Sequence, residues 1–190
     1  MGILIARLAR ATAILGGLVL TALVILACLS ILGRGLNTLG HSGLLPAGLG
    51  EALIALGVGP IDGDFELVEA GVAFAIFAFL PICQLSGAHA NVDVFVSALP
   101  RPAVRAIVTF WEVVLSAVIL LITWRLGVGM EGKISNGQTT FILQFPIWWS
   151  YAASFAAACV ASLVAIYCAA RRVRGLLRGE DDDLTEQGGV

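Results

Sequence analysis

The sequence predicts an all-α membrane protein with four transmembrane helices and short interfacial helices in its first and second connections. Three observations predict it. Hydrophobic residues make up 59% of the 190 residues and charged ones 13%, with a mean hydropathy of +0.97. That is too little charge to cover a soluble domain of this size. The apolar residues are grouped in blocks of about 20, the length a helix needs to cross a hydrocarbon core about 30 Å thick. Lysine and arginine alternate between the two sides of these blocks, as four crossings require.

The first span is 11–33, free of charge between Arg10 and Arg34. The length of this run and the lack of a small-residue cleavage site after it favour an uncleaved span over a signal peptide. The second span is 66–85. The third, 103–125, carries one acid, Glu112. The fourth is 146–170, opened by Pro146 in the first helical turn, where a missing N–H costs nothing, and stopped by Arg171-Arg172. Residues 1–175 thus form the membrane domain. Residues 176–190, with the acidic run Glu180–Asp183, form a disordered tail.

Arg7, Arg10, Arg101, Arg105, Arg171, Arg172, Arg174 and Arg178 fall on one side, eight of the eleven basic residues. Arg34, Arg125 and Lys133 fall on the other, beside Glu51, Asp62, Asp64, Glu66 and Glu131. The positive-inside rule places both termini in the cytoplasm.

In the first connection Leu49, Ala52, Leu53 and Leu56 share one face of a short helix between Pro46 and Pro60, suited to the membrane surface. Asp64 is then the expected N-cap of the second span. Glu66 lies in its first turn, where the positive helix end favours acids, and Glu69 one turn deeper. These acids cap the helix and set topology, or they dock a partner outside the membrane. Ser86-Gly87 ends or bends the span. After it, Val92, Phe95, Val96 and Leu99 share a face, so this segment also suits the membrane surface, with His89 and Asp93 neighbours at i, i+4. Pro100-Arg101-Pro102 forces a turn before the third span.

The residues exclude most chemistry. Cys28, Cys83, Cys159 and Cys168 lie in apolar blocks without C-x-x-C spacing and read as small hydrophobes. His41 and His89 fall on opposite sides, so they do not ligate one haem, and the H-A-N-V-D spacing is too sparse for a metal. No nucleophile–base pair, phosphate loop or nucleic-acid patch occurs, and no cofactor is expected. Glu112 is shallow enough to snorkel to headgroups or to pair with a polar partner at an interface. Trp111, Trp124, Trp148, Trp149 and Tyr151 occupy interface-belt positions.

The chain resembles the small permease subunit (DctQ type) of tripartite ATP-independent periplasmic (TRAP) transporters. The residues that carry the resemblance are Gly63-Asp64-Phe65-Glu66-Leu67-Val68-Glu69, then Gly87-Ala88-His89 with Val92-Asp93, Thr123-Trp124-Arg125, and Pro146-Ile147-Trp148-Trp149. One departure is Gln84-Leu85-Ser86, where many members carry arginine. The resemblance implies a multi-pass protein of the bacterial inner membrane that partners a large multi-span permease subunit and a periplasmic solute-binding protein. The complex would import an organic anion, typically a carboxylate, on an ion gradient, with the small subunit as scaffold. Gly87, His89, Val92 and Asp93 would be the family motif of the cytoplasmic connection. Asp64, Glu66, Glu69, Glu112, Trp124, Trp148 and Trp149 would be contacts to partner or interface. The alternative is a membrane anchor subunit of a respiratory enzyme complex.

Overall fold

The computed structural model describes residues 2–42, 48, 55, 57, 59–87 and 101–178, with only the main chain at 101 and 102. Four helices account for nearly all of these: α1 (Gly2–His41), α2 (Asp64–Ser86), α3 (Arg101–Asn136) and α4 (Trp148–Arg178). All four are long and apolar enough to cross a membrane. The surface helices expected in the two connections, and the acidic tail, lie outside the described residues.

The apolar blocks are the middles of longer helices. At 1.5 Å per residue α1 is about 60 Å long and α3 about 54 Å, well beyond the bilayer core. Pro102 does not precede α3; it sits in the first turn, where no backbone bond is lost. Pro146 in contrast lies two residues before α4, in a bridge to Thr139, and its carbonyl accepts the Trp149 N–H at 3.1 Å. Arg171-Arg172 do not stop α4, which continues to Arg178.

The packing order is not the chain order. α1 packs along α2, α2 along α4, and α4 along α3. The register follows from close contacts. A Cβ at Gly16 would meet Ala78, one at Gly71 would meet Leu23, and Ser30 bonds Asp64, so α1 and α2 run antiparallel. On α1 the buried positions Ala9, Gly16 and Ser30, with Leu23 between, recur every seven residues, the repeat of left-handed helix packing.

Helix α4 is the centre: 39% of its most apolar stretch is buried, against 11% for α1. Its buried face is built from small residues (Ser154, Ala157, Ala158, Ala161, Ser162 and Ala165) that let neighbouring backbones approach closely. Leu80 of α2 and Ile119 of α3 meet on it at Ala161 and Ala165. The outer flanks of α1 and α3 stay exposed and largely apolar.

Two ends can be distinguished. The basic end holds the starts of α1 and α3 and the finishes of α2 and α4, with Arg10, Arg105, Arg171 and Arg172. The acidic end holds the opposite termini, with Asp62, Asp64, Glu66 and Glu131.

Candidate functional site

Helix α3 turns a narrow polar seam toward α4. Thr109, Glu112, Ser116, Ile119 and Thr123 are buried at alternating spacings of three and four. Ser116 Oγ donates to the Ala165 carbonyl at 3.2 Å. Thr123 Oγ1 lies 2.9 Å from the Ile119 carbonyl, 3.3 Å from that of Ala158 and 2.8 Å from Ser162 Oγ. Without water in the hydrocarbon, such groups must find partners within the protein.

At its basic end the seam finishes in a three-helix clasp. Glu112, 6% exposed, accepts a 2.7 Å bond from Gln84 Nε2 of α2 and pairs with Arg172 Nε of α4 at 3.6 Å. Glu112 thus pairs with polar partners on two other helices of the chain. Gln84 is 3% exposed and part of this clasp. Gly87, the first residue of the G-x-H-x-x-V-D element, caps α2 in the left-handed conformation (φ 61°), its N–H donating to the Cys83 carbonyl. A Cβ there would lie 3.8 Å from Arg172 Nη2, so a cation stands beside the negative end of α2. His89, Val92 and Asp93 lie outside the described residues.

The acidic end is tied differently. Gly63, not Asp64, is the N-cap of α2, because the turn needs the positive φ of 76° that glycine adopts without strain. Asp64 is the first helical residue; its Oδ1 accepts the Phe65 N–H at 2.7 Å and its Oδ2 accepts the Ser30 hydroxyl. The buried Ser30 also accepts the Ile61 N–H at 3.3 Å, so one serine joins α1, the turn and α2. Glu66 accepts the backbone N–H groups of Ile142 at 2.6 Å and Leu143 at 3.0 Å. These sit at the tip of a short hairpin between α3 and α4, closed by Thr140 N–H to the Phe145 carbonyl at 2.9 Å and Ile147 N–H to that of Gln138 at 3.0 Å.

The hairpin roofs a cleft of about 660 Å³ whose walls include Phe65 and Phe77 of α2, Leu126 of α3 and Tyr151 of α4. Glu69 lines it, and so does Ser154, whose buried Oγ has no hydrogen-bond partner among the described residues. Trp148 and Trp149 stand edge to face, 6.2 Å apart, where α4 begins. Trp124 is 62% exposed on the flank of α3, with Arg125 Cζ 5.9 Å from its ring. The structure thus brings Glu66 to the hairpin and Glu112 to Gln84 and Arg172, but it does not gather the predicted site residues into one place.

Among the described residues no group of three or more His, Cys, Asp or Glu side chains lies close enough to hold a metal ion. The polar groups tie helices together rather than converge on a substrate. Neither the curated proteins nor the solved structures include a significant match to the chain. The family model described as "Tripartite ATP-independent periplasmic transporters, DctQ component" matches residues 52–175, well over half of the chain and nearly all of α2 to α4. The chain, with its four membrane-crossing helices, belongs to this DctQ family and is a small permease subunit of a TRAP transporter, a transport component rather than an enzyme.

Proposed function

We propose that this subunit is a static brace: it holds the large permease subunit in the membrane while that subunit moves the solute. The observation that carries this reading is the fate of Glu112. It is the buried acid among the described residues, and both of its oxygens are engaged within the chain, by Gln84 and Arg172. Acids that couple ions must be free to change partners during a cycle. Glu112 instead locks three helices. The unbroken course of α1, α3 and α4 through their apolar stretches supports the same reading, because secondary transporters bind their ions at interrupted helices.

In this proposal a periplasmic solute-binding protein delivers an organic anion, a carboxylate, to the large subunit, which imports it on an ion gradient. The small subunit sits in the bacterial inner membrane with both termini cytoplasmic, the direction supported by eight arginines flanking one side against Arg34 and Lys133 flanking the other. Reconstitution tests the assignment. Vesicles holding this chain and the large subunit, supplied with binding protein, should take up solute, and vesicles holding this chain alone should not. Uptake by this chain alone would overturn the proposal. A reporter fused after Arg178 that proves periplasmic would reverse the orientation.

A further inference from the structure

The membrane boundaries can be located from the helix register. Asp64 and Gln84 of α2 are twenty residues apart, about 30 Å, one hydrocarbon thickness. Gln84 bonds Glu112 of α3, so the basic-end boundary crosses α3 near Glu112. Twenty residues further along α3 the acidic-end boundary falls near Gly132, between Glu131 and Lys133. A second route agrees. Gly127 faces Phe155 and Gly129 faces Tyr151, so Arg125 lies well below Trp148, where α4 begins. Arg125 is therefore about 10 Å inside the hydrocarbon rather than at its edge.

This arginine is exposed and makes no salt bridge among the described residues. Its neighbour is the Trp124 ring at 5.9 Å, which engages one face of the guanidinium and leaves its five N–H donors to find acceptors. Val118, Leu121, Trp124, Arg125 and Val128 form one exposed stripe on α3, the helix at one edge of the bundle. The opposite edge, α1, has no charge between Ala11 and Gly33. A surface that faces only lipid has the character of the α1 edge. An arginine held at depth in an apolar stripe instead calls for a buried anion.

We propose that the α3 stripe is the surface that docks the large permease subunit, and that Arg125 pairs there with an aspartate or glutamate on one of that subunit's membrane helices. This rests on the transporter reading above. The test uses the co-expressed complex, purified through a tag on this chain. Arg125→Glu should lower recovery of the large subunit at least tenfold and Arg125→Leu severalfold, with Arg125→Lys intermediate. The thermal midpoint of the isolated chain should not move, since Arg125 holds no salt bridge within it. A photoreactive phenylalanine at Leu121 should crosslink the large subunit, and one at Leu18 of α1 should label lipid. Wild-type recovery with Arg125→Leu would overturn the proposal, because the arginine would then merely reach lipid phosphate. Crosslinking from Leu18 but not Leu121 would overturn it too, moving the interface to α1 while leaving the transporter role intact. Failure of the wild-type chain to recover any large subunit would instead sink the transporter reading itself.

Discussion

The two ends of the bundle are held by different chemistry. At the basic end, side chains from three helices meet directly: Gln84, Glu112 and Arg172. At the acidic end, carboxylates hold backbone: Glu66 grips a hairpin tip and Asp64 ties the first turn of α2 to Ser30 of α1. A clasp of side chains fixes helix against helix. A carboxylate on backbone N–H groups fixes a loop and leaves the helices beneath it apart, and the cleft bounded by Phe65, Phe77 and Tyr151 lies where they part. The basic end is thus held helix to helix, and the acidic end largely through carboxylates on backbone.

The largest effect should come from breaking the clasp. Glu112→Ala leaves Arg172 without its anion and should cost on the order of 3 kcal/mol, since an unpaired charge in a low-dielectric site is worse than no pair. A fall in the thermal midpoint of the purified chain would show it. Adding Arg172→Met should recover much of the loss, and a double mutant no better than the single would show the pair to be incidental. Glu112→Gln, which keeps an acceptor for Gln84, should fall between.

Next is Gly63→Ala. The left-handed backbone there costs a side chain about 1–2 kcal/mol, and the new Cβ would overlap Leu143. Leu143→Ala should relieve the overlap but not the backbone strain, so partial rescue separates the two terms. Glu66→Gln should have a smaller effect, trading a charged acceptor for a neutral one. Its signature is local: faster amide exchange at Ile142 and Leu143 with α4 unaffected, whereas faster exchange across α4 would show that the hairpin braces the whole end. The smallest change is expected at Thr123→Val, about 0.6 kcal/mol, the usual worth of a hydroxyl bond between membrane helices.

Much of this was legible in the sequence. Block length and charge alternation gave four crossings, and the Ile61–Glu66 stretch announced a turn into a helix. The three-four spacing of Thr109, Glu112, Ser116 and Thr123 was also visible, but polar positions in an apolar block show no face until the helix they meet is known. That helix is α4, read as a plain span although Ala157, Ala158, Ala161 and Ala165 already marked a packing face. The partners of Glu66 could not be read at all. They are main-chain N–H groups 76 and 77 residues away, and every residue except proline carries one. Hydropathy marks apolar blocks and not helix ends, and α1 and α3 remain helical past their blocks.

The order of packing has a consequence for biogenesis. Helices α1 and α2 can pair as soon as both have left the ribosome, because each is the other's neighbour. The third cannot. It enters the membrane carrying Glu112 near its basic end, and the cation of that acid, Arg172, is sixty residues further along the chain. Until that arginine is synthesised α3 has only Gln84 to shield the charge. The nascent subunit is therefore most vulnerable to misinsertion and quality control in the interval between its third and fourth crossings.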